Sequence, residues 1–242
     1  GDYAFMRCTS LTSVVIPDSV TTIEHSAFSG CTGLVSFVMG DGVTKLSNGL
    51  LGGCTNLKSV TIGKGLTSVP LQLLHDCTNL ESVTTPFLAK SFGGLFGPEL
   101  SSDNSQYVPA SVKSVTITGG SPAGNYFKDS IHLTSVTIED GVTRTGSYTN
   151  CTGLTEFTIP GSVKTVGSNV FKNCVNLTTV NIRLGVEKLR VYAFSYSGVT
   201  TINFEGTVDE WNAIEKENGW DKDTQDYTVV CSDGVIPKAT TP

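Results

Sequence analysis

Cys8, Cys31, Cys54 and Cys77 follow one another at intervals of 23 residues, and Cys151 and Cys174 repeat that interval. A fixed period of this length marks a stacked-repeat architecture, in which each unit needs its neighbours to cover its apolar face. From Cys8 the unit runs Leu11, Val14, Ile16, Val20, Ile23, Ala27, Phe28 and then Cys31. Equivalent slots after Cys31 and Cys54 hold Leu34, Phe37, Met39 and Leu57, Val60, Ile62. After Cys151 and Cys174 they hold Leu154, Phe157, Ile159 and Leu177, Val180, Ile182.

The 74 residues between Cys77 and Cys151 are not whole periods. Placing Val112, Val115 and Ile117 in the strand slots makes the unit from Cys77 32 residues long, followed by two units of 21. Ser130 and Ser197 then stand where cysteine is expected, giving about nine coils in all. Within each unit the "LxSVxI" stretch alternates at period two and reads as a short strand with one face inward. The "VTxI" segment is a second extended piece, and the "AF" step a tight turn.

The cysteine therefore fills an inward slot that takes a small, compact side chain. Because Ser130 and Ser197 substitute for it, the thiols are expected to be reduced, buried and chemically idle. By the same logic Cys54→Ser should cost less than Leu57→Ala. A disulfide between coils about 4.8 Å apart is disfavoured because parallel Cβ vectors suit its torsion badly. Zinc lacks the paired CxxC or clustered histidines it requires.

Apolar residues make up 38% and charged residues 16% of the 242, which argues against both disorder and a helical protein. The net charge of −6 arises between Glu205 and Asp226, where eight acidic residues accompany Lys216 and Lys222. No basic stripe is left to neutralise phosphates, so nucleic acid is not an expected partner. No run of 18 apolar residues could span a membrane. "GDYAFMRC" carries neither initiator Met nor signal peptide and reads as the cut end of a fragment. Its first coil is expected to lie partly disordered or to pair with another molecule. "PKATTP" reads as a linker.

These slots resemble the BspA-like class of bacterial surface leucine-rich repeat proteins, with its 23-residue "CxxLxxVxIPxxVxxIxxxAFxxC" unit. The resemblance implies a strand-dominated α/β repeat fold: a right-handed, horseshoe-like leucine-rich-repeat solenoid with a parallel sheet on its concave face. It implies a secreted or surface-anchored, non-catalytic protein linked to adhesion, binding a protein or glycan, possibly of a host or its matrix. The organisation expected is a solenoid over 1–204 with an insert at 85–111, a helix-strand cap over 205–236 and a tail over 237–242. Thr207 and Glu210 form a capping box at a helix start, with Asn218-Gly219 expected to end that helix and "YTVVC" to form a strand. The cap would hide the last sheet edge behind an acidic surface.

Chemistry is sparse. His25, His75 and His132 fall at non-equivalent slots, and no nucleophile elbow, P-loop or HExxH occurs. No enzyme activity, cofactor or metal is expected. "DKDTQD" at 221–226 lacks the glycine and terminal glutamate of an EF-hand loop, and reads as an acidic turn whose calcium binding the sequence leaves open.

The candidate contact surface lies elsewhere. Ser13, Ser36, Ser59, Ser82, Ser114 and Ser135 form one outward column, and Thr61, Thr84, Thr116, Thr137 and Thr158 form another. Strand propensity alone accounts for such columns; a hydroxyl-rich platform for a glycan or protein is the functional alternative. The insert supplies aromatic candidates in Phe87, Phe92, Phe96 and Tyr107, beside Lys58, Glu81 and Lys113 on adjacent strands. If the insert is the contact element, Phe92 or Phe96 should be substantially exposed. If it plugs the broken period, both should be buried and replacing both with Ser should collapse stability, and a structural spacer then becomes the better reading. The uncapped first coil is a further possible contact.

Overall fold

The computed structural model describes residues 1–68, 70, 72–87, 92–97, 107–120 and 126–238. The chain divides into two compact units, Gly1–Ala123 and Gly124–Pro242. Both are strand-dominated stacks of leucine-rich-repeat coils, each coil giving one strand to a parallel sheet.

In the first unit the strands are β1 (Ser13–Ile16), β2 (Thr22–Ile23), β3 (Ser36–Met39), β4 (Lys45–Leu46), β5 (Ser59–Thr61), β6 (Ser82–Phe87) and β7 (Ser114–Gly120). The main sheet runs β1-β3-β5-β6-β7, and β2 pairs with β4 on the second side of the coil. Its register is set by the repeat: Ser13 faces Ser36, Ser36 faces Ser59, Ser59 faces Ser82 and Ser82 faces Ser114. Alternate residues Phe37, Val60, Val83 and Val115 point inward and are buried, as period two requires. The ladder between β6 and β7 shifts between Thr85 and Phe87. Pro86 sits at that shift, where a missing N–H is tolerated.

In the second unit the elements are β8 (Ser135–Ile138), β9 (Glu156–Ile159), β10 (Thr165–Val166), β11 (Thr179–Ile182), β12 (Lys188–Leu189), β13 (Thr201–Phe204), α1 (Val208–Ala213), β14 (Glu215–Lys216), β15 (Thr228–Val230) and β16 (Val235–Pro237). Strands β9, β11, β13 and β15 are parallel neighbours, and β10, β12 and β14 form the second parallel ladder. A spine of rings fills the core at the turn slot. Phe127 stacks on Tyr148 (5.0 Å), Tyr148 on Phe171 (5.6 Å), Phe171 on Phe194 (5.2 Å), and Trp220 meets Phe194 edge-on at 5.6 Å. Tyr148 is fully buried, and its hydroxyl donates to the Thr145 carbonyl, so its polar end is satisfied.

The segment after β13 continues the coil. Helix α1 opens with the reciprocal Thr207/Glu210 capping box. It ends at Ala213, well before Asn218-Gly219, which corrects the expected stop. The chain is drawn into β14 because Glu215 and Lys216 continue the β10-β12 ladder beyond Lys188 and Leu189. Trp220 takes the spine slot and β15 the sheet slot; β16 then folds back antiparallel on β15. The acidic side chains of this segment hold it to the coil before. Glu205 pairs with Arg183, Glu215 with Lys188, and Glu217 with Lys188 and Arg190.

Candidate functional site

The sites of interest are built from the repeat slots outward, beginning with the cysteines. Cys31, Cys54, Cys77, Cys151 and Cys174 are free and fully buried. Each thiol donates to a backbone carbonyl of the previous coil: Phe5, Phe28, Leu51, Phe127 and Tyr148 respectively, at 3.0–3.3 Å. Burial, with smaller contributions from neighbouring groups, pushes the thiols of Cys54 and Cys77 up to about 12. A thiol so placed is a poor nucleophile. Cys8 departs from the expectation: it is exposed, as are all of residues 1–10 in the first coil. Thiol titration of the native protein should therefore register Cys8 promptly and the other six cysteines only after denaturant. Several fast native thiols would contradict the slot assignment.

Ser197, in the same slot, behaves differently. Ser197 is buried, and its Oγ has no hydrogen-bond partner. The shorter C–O bond leaves the hydroxyl short of the carbonyl that a thiol reaches in other coils. An unsatisfied buried hydroxyl costs about 1–3 kcal/mol. Ser197→Cys is therefore expected to raise the denaturation midpoint, and an unchanged or lower midpoint would refute this account of the slot.

Phe92 and Phe96 are 0% and 3% exposed and meet edge-to-face at 5.6 Å. Of the two arrangements open to the insert, the buried one is found, and neither ring is the exposed contact element. The reason lies in the backbone. A 3₁₀ turn, Phe92–Leu95, offers the carbonyls of Gly94 and Leu95 to the amides of Gln72 and Leu74. In the same way the Leu50 carbonyl receives Phe28 N–H, and the Leu73 carbonyl receives Leu51 N–H. "GGLF" is thus the "AF" turn of the fourth coil, arriving on the repeat's own period, and the extra residues of this unit fall in sequence between that turn and Pro109. Pro109, whose carbonyl accepts from Val112 N–H at 3.0 Å, holds the next cysteine slot.

Of the other predicted contact residues, Tyr107 is half-buried and lays its ring against Gly97, leaving no room there for a side chain. Phe87 lies at the end of β6, its backbone opposite Gly120; its side chain and residues 88–91 and 98–106 lie outside the described residues. Lys58, Glu81 and Lys113 do form one row: Lys58 pairs with Glu81 at 2.9 Å, and Lys113 N–H donates to the Glu81 carbonyl. Thr61, Thr84 and Thr116 occupy successive rungs beside Ser59, Ser82 and Ser114. On the two rungs before Thr61 the threonine column is replaced by Val38 and Val15, opposite one another and exposed, Val15 at 72%. In the second unit Thr137 and Thr158 line a hollow of about 830 Å³ with Arg183, Leu184 and Glu205.

His25 and His75 share a hollow of about 460 Å³ with Asn48, Gly49, Gly52 and Gln72. No serine or cysteine nucleophile is among its lining residues. Among the described residues no group of three or more His, Cys, Asp or Glu side chains could hold a metal ion, and no helix is long and apolar enough to cross a membrane. Asp221, in the acidic 221–226 turn, accepts from the Tyr227 hydroxyl at 2.8 Å.

Two exposed tyrosines, Tyr192 and Tyr196, escaped the sequence reading. They follow the apolar pattern nowhere, and only alignment with Asn169 and Asn173 one period earlier singles them out.

One strand per coil, a cysteine-anchored return and a ring-filled turn define a leucine-rich repeat protein. The chain belongs to the BspA type leucine rich repeat family, whose repeats match residues 1–97 and 121–215 in 6 copies. No curated protein matches it. Among solved structures, a leucine rich cell surface protein from Faecalibacterium prausnitzii is 20% identical, with 89% of this chain and 71% of that chain covered, at a TM-score of 0.42. A leucine-rich repeat protein from Eubacterium ventriosum is 15% identical, with 100% and 70% covered, at 0.47. The pneumococcal vaccine antigen PcpA is 14% identical, with 92% and 80% covered, at 0.34.

Proposed function

We propose that this chain is a non-catalytic recognition module of a secreted or surface-exposed bacterial protein, binding a protein or glycan outside the cell. The observation that carries the reading is the exposed face of β1, β3 and β5. Its outward rows are in register from strand to strand, and they include side chains the core does not need: Val15, Val38 and the Lys58–Glu81 pair. Apolar side chains beside a charged row are the composition of a contact patch. The buried thiols suit an oxidising exterior, since their raised pKa values slow oxidation. Tyr3, Phe5 and Met6, exposed on the first coil, are a second possible contact.

A screen of the chain against extracellular-matrix proteins and immobilised glycans tests this, using Val15→Ser/Val38→Ser/Lys58→Glu as the control. Saturable binding that the control loses while staying folded is expected. Failure to bind any member of either panel would overturn the reading. Burial of Phe92 and Phe96 favours a second reading, a spacer solenoid that presents other domains, because it removes the aromatic anchors from the insert.

A further inference from the structure

The position four residues after the start of each main-sheet strand is short and uncharged in most coils. It holds Pro17, Gly40, Gly63, Pro86 and Pro160, with Thr118 and Ser232 in two further coils. Three coils depart from this, with Glu139, Arg183 and Glu205, and all three residues line the same hollow of about 830 Å³ in the second unit. Stacking of the coils asks only for a short residue at this slot, so long charged ones gathered around a single hollow need another reason.

The surroundings give that reason a chemistry. One residue beyond the rung formed by Ile159, Ile182 and Phe204 stand Pro160, Arg183 and Glu205. Pro160 is buried, so the row lies open above it, while Arg183 and Glu205 are exposed. Glu205 fixes that wall: its carboxylate accepts from Leu184 N–H at 3.0 Å and from Arg183 Nη1 at 3.2 Å. The Leu184 amide, with Arg183, holds the Glu205 carboxyl below its ordinary value, so the pair stays charged at neutral pH. The guanidinium is thus held in place with Nε and Nη2 unspent. Thr158 Oγ1 accepts from Asn181 Nδ2 at 3.3 Å, which leaves its own proton to donate; Asn181 is itself tied to Glu156 and Asn203. The Thr137 hydroxyl and the Asp140 carboxylate, which also line the hollow, make no hydrogen bond or ion pair. Leu184, 47% exposed, adds an apolar patch.

Unspent groups of both signs therefore face one space. An anion there would meet Asp140 and Glu139, and a cation would meet Arg183. A hydroxyl both donates and accepts, and answers either. A hollow of this size suits a small or slender ligand, unlike the broad area of roughly 800 Å² per partner that a stable protein interface buries.

We propose that this hollow binds one or two sugar residues of a neutral glycan. Arg183 and Asp140 hold the sugar hydroxyls, Thr137 and Thr158 contact them from the sheet, and Leu184 lies against the C–H face of a ring. The proposal rests on the recognition reading and narrows it to a glycan on the second unit.

A printed array of neutral, sialylated, sulfated and uronate-bearing oligosaccharides tests it, followed by titration of the strongest neutral member. The wild type should bind neutral members. Arg183→Gln and Thr137→Val/Asp140→Ala should each weaken that binding about tenfold or more. The second variant should keep the wild-type thermal midpoint, because neither side chain bonds to the rest of the protein. Unchanged binding by either variant would overturn the proposal, as would binding confined to the acidic members or no binding to the array. In each of those cases, saturable binding to a matrix protein that the sheet-face variant loses would leave the broader recognition reading standing.

Discussion

Phe92→Ser/Phe96→Ser is expected to leave the first unit unfolded at room temperature. Both rings are buried against one another, and the turn that carries them receives the amides of Gln72 and Leu74. Truncating a buried phenylalanine costs about 3–5 kcal/mol, and two together rival the whole stability of an ordinary domain, about 5–15 kcal/mol. Serine adds hydroxyls with no partner in that space. Circular dichroism with chemical denaturation decides the matter. A double variant with a near-native midpoint would return the insert to the surface and restore it as a contact element.

Phe171→Ala is expected to be the most damaging single change in the second unit. Its ring is stacked between Tyr148 and Phe194 and also meets Phe157 at 4.8 Å, so its loss breaks the spine on both sides. A cost of about 3–5 kcal/mol follows from the cavity left behind, and a fall of about 10 °C or more in the thermal midpoint. The neighbouring surface change Val175→Ser, at an exposed position, should move the midpoint far less. Similar effects for the two would contradict the ring spine as the unit's main apolar core.

Most of the fold was legible because period and alternation are properties of the chain itself. The 23-residue spacing of Cys8, Cys31, Cys54 and Cys77 placed β1, β3, β5 and β6, and the alternation in "SVTI" set their inward faces. What was lost at the insert was a turn whose sequence had drifted. "GGLF" stands on period where "AF" is expected, but its glycines hide the slot, and no local pattern separates that turn from the extra residues that follow it. The end of α1 was misjudged for a related reason. Asn218-Gly219 is a genuine left-handed turn, Gly219 at φ 74°, but it closes the coil at Trp220, and the helix stops earlier because Glu215 and Lys216 pair with β12. The candidate site was the least legible part. The Ser and Thr columns kept the period outward, but the residues that depart from them carry no such signal, so Val15 and Val38 were lost among the strand residues and the tyrosines at 192 and 196 among the turns.

The repeat continues through its interruption, with Phe92–Leu95 serving as the fourth coil's own turn. Amide hydrogen exchange at Gln72 and Leu74 tests it most directly, because their N–H groups donate to Gly94 and Leu95. Protection comparable to that of Phe28 and Leu51, whose amides make the equivalent bonds to Leu50 and Leu73, is the predicted result. Exchange at Gln72 and Leu74 as fast as in an open loop, with Phe28 and Leu51 still protected, would contradict it.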